Sequence, residues 1–428
     1  MTLLPAFPQL THLIQGFEQM TASPPDWLDS ARASTFAGWL AEVAPLHGLK
    51  PGSVRLASAD ASFRRYFRID AADATDSIKS FIIMDAPPAL EDCAPFVKVA
   101  GLMEDAGLQA PHVLAWDAPR GFMLLSDLGA QTMMDVIAPP AGALAVAEAT
   151  PAHFDLYMQA VDALVRWQLA SRPGVLPLYD DALLSRELAL FPEWYVGKHR
   201  GVALDTGLTG KLNALFAQIK ASNLDSLGGA RVFVHRDFMP RNLMVSFPGE
   251  KPAKRGNEHE SLFKQGPRDR LCRTAGAAAP PGGSAVREAT SVGAPSLGVL
   301  DFQDAVYGPV TYDIASLMRD AFLSWEEEFV LDITVRYWQK ARTAGLPVGD
   351  DFGEFYRAVE WMGLQRHLKI LGIFARLTLR DGKPKYLADT PRFMKYARAT
   401  CARYRQLGPL MVLLDEIEGV DTRVGYTF

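Results

Sequence analysis

The sequence predicts an α+β fold of two lobes, in which a strand-rich lobe at residues 1–130 precedes a mostly helical lobe at residues 131–428. Short runs rich in β-forming residues cluster between residues 53 and 127, and one helical stretch interrupts them. Beyond this part of the chain, apolar residues recur mainly at helical spacing. A chain of 428 residues is also too long for one small core, which favours two packed units.

The first lobe is predicted to begin with a helix at residues 25–47, where the apolar side chains recur at helical spacing. A second helix is expected at residues 91–106. Small polar residues at 57–62 indicate a tight turn between the first two strands. The predicted strands are residues 53–57, 63–70, 79–84, 112–117 and 121–127.

The second lobe is predicted to be helical apart from three short strands. Helices are expected at residues 151–171 and 208–221 and over most of 311–417, and strands at 231–234, 242–246 and 297–300. Residues 247–296 are rich in Gly, Pro and Ala and poor in large apolar side chains, which predicts a disordered insert between two strands. Its mild positive charge leaves open a protein partner, unknown from the sequence, and an insertion without function.

Composition excludes several classes of function. The net charge of −5 argues against nucleic-acid binding, which needs an excess of Lys and Arg. The three cysteines are far apart and form no CxxC pair, so neither a zinc site nor a disulfide framework is predicted. We expect a cytoplasmic protein without membrane contact, because the sequence shows neither a signal-peptide pattern nor an apolar run of roughly 20 residues.

The most informative segment is His235-Arg236-Asp237, which is followed five residues later by Asn242 and flanked by β-rich runs. This is the H-R-D-x-x-x-x-N pattern of a phosphoryl-transfer catalytic loop. A loop of this length between two strands lets both polar side chains face one cleft. Asp237 is therefore predicted to receive the proton of an acceptor hydroxyl, and Asn242 to hold Mg²⁺ on the phosphates of ATP.

A second segment carries two acidic residues after a short apolar strand. Asp301 ends the strand and Asp304 follows three residues later. Carboxylate and amide oxygens suit a hard cation, so Asp301 is predicted to hold Mg²⁺ together with Asn242. We assign Asp304 to substrate binding, while a second metal contact and a helix or turn cap remain alternatives.

Three motifs in this order resemble the aminoglycoside phosphotransferase and choline kinase superfamily. They are the loop at 235–242, the strand end Leu-Asp-Phe-Gln-Asp-Ala at 300–305 and the helix start Tyr-Asp-Ile-Ala at 312–315. The resemblance covers about residues 50 to 400. It implies a protein-kinase-like bilobal fold and an enzyme that uses ATP and Mg²⁺.

A closer resemblance is to the cell-wall-recycling kinases that phosphorylate N-acetylmuramate and N-acetylglucosamine at the anomeric hydroxyl. It implies a small-molecule sugar acceptor. His235, Tyr312, Asp313 and Arg319 are assigned structural roles, since Tyr-Asp at a helix start is typical of an N-cap. The resemblance rests on SFRRYFR (62–68), MDAPP (84–88), HRDFMPRNLM (235–244), LDFQDAVYGPVTYDIASLMRD (300–320) and LQRHLKILGIFARL (364–377).

The sequence departs from the kinase template on the third strand. Met84 occupies the position of the lysine that usually holds the α- and β-phosphates, and Arg64, Arg65 and Arg68 are the candidates to supply the missing charge. A pseudokinase is the alternative. The predicted nucleotide-binding residues are Ser62, Arg65, Ser126, Asp127 and Leu128, the last three in a hinge that would hold adenine.

The helix predicted at 361–380 carries five basic residues and no acidic one. Their spacing of three and four predicts a basic stripe, and we assign Arg366 and Lys369 to an anionic acceptor such as the lactyl carboxylate of N-acetylmuramate. An ordinary solvated helix face is the alternative. A kinase of the same fold for an aminoglycoside, choline or homoserine, and a non-catalytic nucleotide-binding regulator, also remain possible functions. The choice between the two sugars, ATP or GTP, and the oligomeric state stay open.

Overall fold

The structure is a computed structural model that describes residues 27, 29–59, 63–74, 79–137, 149–245 and 297–420. The whole predicted insert at 247–296 and Ser62 lie outside the described residues, so these two predictions have no structural account.

The first lobe is built on one antiparallel sheet of five strands in the order β1-β2-β3-β5-β4. The sequence therefore placed all five strands. The turn predicted at 57–62 begins too early, however, because β1 continues to Ala59. The strands are β1 Arg55–Ala59, β2 Arg65–Asp70, β3 Ser80–Asp85, β4 Val113–Asp117 and β5 Phe122–Ser126.

The two faces of this sheet join different cores. Helix α1, Ser30–His47, packs its Trp39 ring on Phe122 at a centroid distance of 5.2 Å. Met84 and Met123 point to the opposite face and belong to a large core that includes helix α2, Ala94–Asp105, and much of the second lobe. The largest core thus crosses the predicted boundary at residues 130 and 131, and that boundary stays a prediction.

The second lobe consists of helices around two short antiparallel sheets. Strand β6, Arg231–Val234, pairs with β9, Val306–Pro309, and strand β7, Leu243–Val245, pairs with β8, Leu297–Val299. The sequence had not indicated β9 or the helices at 181–199. The helices are α3 Met133–Ile137, α4 Pro151–Leu169, α5 Asp181–Leu190, a π-helix at Phe191–His199, α6 Thr206–Asp225, α7 Tyr312–Met318, α8 Glu327–Thr343, α9 Phe352–Leu379, α10 Thr390–Arg403 and α11 Gly408–Glu418.

Helix α9 is the centre of the second lobe. Nearly every residue from Ala358 to Ala375 is buried, so the helix has no solvated face along this stretch. Gly372 lies directly against the backbone of Leu190, where a Cβ atom would meet the Leu190 carbonyl group. This contact brings α5 and α9 close together, and it requires a glycine.

None of the helices in the described part of the chain combines the length and apolar character needed to cross a lipid bilayer.

Candidate active site

The catalytic loop at residues 235–242 connects β6 to β7, and each of these strands is paired with a strand from beyond the insert. At the end of the loop, the Leu300 amide donates a hydrogen bond to the Asn242 carbonyl oxygen at 2.9 Å. The end of the loop and the end of β8 therefore lie side by side, although the insert separates them in sequence.

The structure brings together the three residues predicted at the reacting centre. The Asn242 amide nitrogen donates to the Asp237 carbonyl oxygen at 2.8 Å and lies 3.5 Å from an Asp301 carboxylate oxygen. Gln303 donates to the other Asp301 oxygen at 2.8 Å. Asp237 is half-buried, whereas Asp301 and Asp304 are exposed. The exposed carboxylates stand at the end of β8, where a ligand can reach them.

Two residues of this site have a backbone conformation that favours glycine. Asp301 has a φ of 62° and Arg236 a φ of 80°. Such left-handed conformations are uncommon for residues with a Cβ atom and persist where surrounding contacts hold them. The contacts around the loop are therefore part of the site.

His235 and Asp313 hold the start of the loop. The buried His235 ring places Nε2 at 2.9 Å from the Leu300 carbonyl oxygen, and its Nδ1 accepts a hydrogen bond from the Asp237 amide at 3.3 Å. This pattern uses a neutral ring protonated on Nε2, and burial lowers the pKa of His235 accordingly. The buried Asp313 accepts hydrogen bonds from the amides of His235 and Arg236 at 2.7 and 3.0 Å.

The structure corrects the detailed role predicted for Asp313. It was expected to cap the helix that starts at Tyr312, but the N-cap of α7 is Thr311, and the Asp313 side chain bonds to the catalytic loop instead. Tyr312 is buried beneath the Arg366 guanidinium, at 4.7 Å from the ring centroid. Arg319 bonds to Glu327 at 2.7 and 2.8 Å. Both placements are compatible with their predicted structural roles.

Glu187 on α5 is a buried carboxylate that sequence reasoning missed. It accepts hydrogen bonds from Arg236 at 2.6 Å, Tyr179 at 2.6 Å, and Gln365 and Lys369 at 2.9 Å each. Burial acts to raise its pKa, but the charges of Lys369 and Arg236 outweigh burial and lower the pKa of Glu187 to about 2. Glu187 therefore stays ionised and anchors the arginine of the catalytic loop to α9.

The structure corrects the assignment of Arg366 and Lys369 to the acceptor. Both are buried, with 4% and 8% of their surface exposed, and both are engaged inside the protein. Arg366 donates to the Arg236 carbonyl oxygen at 2.6 Å and to Ser316 at 2.7 Å, while Lys369 donates to Glu187. These cations hold the catalytic loop and do not form an open stripe.

Arg65, which the sequence assigns to nucleotide binding, is engaged within the first lobe, and its assignment stays a prediction. Along β2, Phe67 and Ile69 face the core beneath α1, and Arg65 shares their side of the strand. Its guanidinium donates to the buried Asp85 at 2.6 and 3.1 Å and lies 4.2 Å from the Trp27 ring centroid. The side chain thus fastens the sheet to the α1 side.

Of the predicted hinge residues, Ser126 is the last residue of β5, and Asp127 and Leu128 follow it directly. Ser126 is buried, and its hydroxyl accepts a hydrogen bond from the His112 amide at 2.9 Å. The Asp127 carboxylate accepts from Arg68 at 2.6 and 3.0 Å and from Ser80 at 2.7 Å. Since these side chains are used within the protein, a nucleotide contact by Ser126, Asp127 or the buried Leu128 would come from the backbone.

The oxygen atoms at the site fit a magnesium ion. Because the Asn242 amide nitrogen points to the Asp237 carbonyl, its amide oxygen and the exposed Asp301 carboxylate supply the hard ligands that Mg²⁺ prefers. Among the described residues, no group of three or more His, Cys, Asp or Glu side chains could hold a metal. Such a group is not required, since Mg²⁺ usually binds one or two protein carboxylates together with substrate phosphates.

Comparisons with known proteins agree with this geometry. A model of the family described as the phosphotransferase enzyme family matches residues 53–253 and 291–350, which make up more than half of the chain. The chain is 43% identical over 390 residues to a protein of Pseudomonas aeruginosa named N-acetylmuramate/N-acetylglucosamine kinase, covering 91% of this chain and 94% of that protein. A protein of Neisseria meningitidis with the same name is 42% identical over 392 residues, covering 91% and 97% respectively.

The fold is shared with a solved structure of low sequence identity. Choline kinase from Cryptosporidium parvum matches with a TM-score of 0.51 at 10% identity, covering 88% of this chain and 99% of that one. This likeness concerns the fold alone. Together with the family match, it confirms the predicted α+β fold of the protein-kinase-like type, and the resemblance drawn from the sequence motifs is confirmed as well.

Proposed function

Since the chain belongs to the phosphotransferase enzyme family, we propose that it transfers the γ-phosphate of ATP to the anomeric hydroxyl of N-acetylmuramate or N-acetylglucosamine. The observation that carries the proposal is the convergence of Asp237, Asn242 and Asp301 at one end of two paired strands. The relatives named for these two sugars give the acceptor. A cytoplasmic role in cell-wall recycling stays a prediction.

In the proposed mechanism, the Asp237 carboxylate orients the sugar hydroxyl and accepts its proton. A bond forms between the hydroxyl oxygen and the γ-phosphorus, the bond to the bridging oxygen breaks, and ADP leaves. An anomeric hydroxyl is more acidic than an ordinary alcohol, so the demand on Asp237 as a base is modest. Positioning and electrostatics supply most of the catalysis.

Asn242 and Asp301 would hold Mg²⁺, which when bound neutralises the β- and γ-phosphates. The chain itself fixes where these ligands stand. His235 and Asp313 hold the start of the loop, and the hydrogen bond from the Leu300 amide to the Asn242 carbonyl holds its end. Catalysis therefore depends on a rigid loop as much as on the three polar side chains.

The identity of the acceptor is the part of the proposal for which alternatives remain. The burial of Arg366 and Lys369 removes the reason that the sequence had offered for an anionic acceptor. The preference for an amino sugar over an aminoglycoside, choline or homoserine now comes from the relatives. A non-catalytic regulator is disfavoured because Asp237, Asn242 and Asp301 are all present and close together.

We expect phosphate transfer from Mg-ATP to yield a sugar 1-phosphate with N-acetylmuramate, N-acetylglucosamine or both, and no product with kanamycin. Phosphorus NMR of reactions with each acceptor alone measures this, because an anomeric phosphate gives a characteristic coupling to the anomeric proton. A reaction without enzyme is the control. Transfer to kanamycin alone would refute the amino-sugar proposal and leave only a phosphotransferase.

We expect Asp301→Asn to raise the Mg²⁺ concentration needed for half-maximal turnover by about 10- to 100-fold. The substitution keeps the shape of the side chain but removes the charge that would bind the ion. Turnover measured against Mg²⁺ concentration at fixed ATP tests this. Asp332→Asn, a half-exposed site on α8, is the matched control. An unchanged Mg²⁺ requirement for Asp301→Asn would exclude Asp301 as a ligand.

A further inference from the structure

The first lobe has no lysine on β3. Met84, at the position where the kinase template has its phosphate-binding lysine, is fully buried and lies opposite Tyr66 on β2 and Met123 on β5. Lys79 precedes the strand and is exposed. If the protein is the kinase proposed above, another cation must approach the phosphates of ATP from this face of the sheet.

Two of the three arginines around β2 form ion pairs that hold the first lobe together. Arg65 faces α1 and forms its ion pair with the fully buried Asp85, to which Arg32 of α1 also binds. Arg68 binds both carboxylate oxygens of Asp127 and donates to the Gly129 carbonyl oxygen at 2.7 Å. It therefore fixes the segment that links the lobes, and moving it would leave Asp127 without its counter-charge.

Arg64 is placed differently. It immediately precedes β2, is 9% exposed, and its Nη2 lies 3.0 Å from a Glu91 carboxylate oxygen. Glu91 belongs to the segment between β3 and α2, so this ion pair joins the sheet to the region of α2. The lysine of β3 is joined in the same way, to a glutamate of the neighbouring helix, in the kinase template.

Tyr66 connects Arg64 to the reacting centre. It is hydrogen-bonded to Arg64 and packs against the large core on the face of the sheet that is turned away from α1. Burial raises the pKa of Tyr66 to about 12, and the charge of Asp301 adds to the rise. Tyr66 therefore interacts with Arg64 in the first lobe through a hydrogen bond and with Asp301 in the second through its charge.

We propose that Arg64 is the cation that binds the α- and β-phosphates of ATP in this protein, and that Glu91 is the residue that positions it. The proposal rests on the proposed function as an ATP-dependent kinase. A guanidinium group suits the task because it can bind two phosphate oxygens at once and stays charged when partly buried. Met84 can then be apolar, because the charge comes from the start of β2.

The first test is the affinity for AMP-PNP, measured by calorimetry in the presence of Mg²⁺. We expect Arg64→Met to weaken binding by about 10- to 100-fold, the effect of losing charge-assisted hydrogen bonds. Arg55→Met is the matched control, because Arg55 lies on β1 and pairs with the half-exposed Asp70. The affinity of this variant for AMP-PNP should equal that of the parent. An unchanged affinity in a folded Arg64→Met variant would overturn the proposal.

A second variant distinguishes the loss of a phosphate contact from the loss of folding. Arg64→Gln removes the charge but keeps a polar side chain beside Tyr66, and we expect the same weakening of AMP-PNP binding. Melting curves show whether each variant is folded. The binding assay needs no acceptor, so it tests the role of Arg64 even if no sugar is phosphorylated. Failure of this proposal and failure of the acceptor proposal therefore remain distinguishable.

Moving the charge separates a phosphate contact from a structural role. In the double variant Arg64→Met/Met84→Lys, the cation returns to the position of the kinase template, and we expect part of the lost affinity for AMP-PNP to be regained. A purely structural Arg64 would not be rescued in this way, since a lysine at position 84 cannot restore the ion pair at position 64. Affinity no better than that of Arg64→Met would count against the phosphate contact.

Discussion

Asp237→Asn is expected to lower the turnover number by about 10²- to 10⁴-fold, the usual contribution of a positioned general base. The exchange keeps the size of the side chain and the hydrogen bond from the Asn242 amide, which goes to the Asp237 backbone oxygen and not to its carboxylate. What is lost is the group that receives the proton of the acceptor hydroxyl. Initial rates at saturating ATP and sugar measure the effect.

Nucleotide binding separates the loss of a base from damage to the site. The Asp237→Asn variant should bind AMP-PNP as the parent does, since neither the first lobe nor the ligands Asn242 and Asp301 are altered. Asp162→Asn, a half-exposed position on α4 that pairs with Lys340, is the control and should turn over normally. Parental turnover by Asp237→Asn would remove this residue from the mechanism.

Glu187→Ala is expected to lower the free energy of unfolding by about 3–5 kcal/mol, the cost of leaving buried charges without their partner. Arg236 and Lys369 would lose the carboxylate that they share, and Tyr179 and Gln365 would lose an acceptor. Because Arg236 belongs to the catalytic loop, turnover should fall as well. Chemical denaturation of the variant and of the parent measures the loss of stability. The comparison holds when both proteins show the same dependence of the free energy of unfolding on denaturant concentration.

A nearby carboxylate offers a matched control. Glu193 also pairs with a lysine, Lys198, but both side chains are about half exposed, and exposed pairs contribute only about 0–1 kcal/mol. Glu193→Ala should therefore unfold almost as the parent does. If Glu187→Ala were no less stable than Glu193→Ala, the buried network would not be holding the loop.

The residues around Asp237 could be predicted because their geometry is local. The spacing of His235, Asp237 and Asn242 is set by the length of one loop, and Asp301 follows directly from the strand paired with the end of that loop. The strands of the first lobe were also found, since their β-forming runs are separated by clear breaks. Local signals of this kind do not depend on what the rest of the chain does.

The contacts between distant segments could not be predicted. Periodicity placed Arg366 and Lys369 on one line of a helix. It does not tell whether that line faces water or the carboxylate of Glu187, which lies 182 residues from Lys369 in sequence. Arg366 and Lys369 belong to the stretch of α9 that is buried on nearly all sides, so these two cations serve the interior. Glu187 itself carries no motif, and only its partners reveal its role.

The same limit applied to the arginines of the first lobe. Alternation along a strand separates Arg65 from Arg64 and Arg68, but it does not tell which face meets the nucleotide. The structure shows that Arg65 pairs with Asp85 on one face and Arg64 with Glu91 on the other. The proposal that Arg64 binds the phosphates starts from this difference. Asp313 is a similar case, because the pattern at a helix start is typical of a cap, whereas the side chain bonds to a loop 77 residues away.

At Asp301, the left-handed backbone conformation favours glycine, whereas the proposed chemistry needs a carboxylate at the same position. A residue with a Cβ atom pays about 1–2 kcal/mol for this conformation, and glycine adopts it freely. A glycine there would relax the chain and at the same time delete the carboxylate at the reacting centre. If Asp301 holds the magnesium ion as proposed, selection for heat resistance alone would favour glycine here and yield an inactive protein. Residue 301 would then have to be kept fixed when the enzyme is engineered for stability.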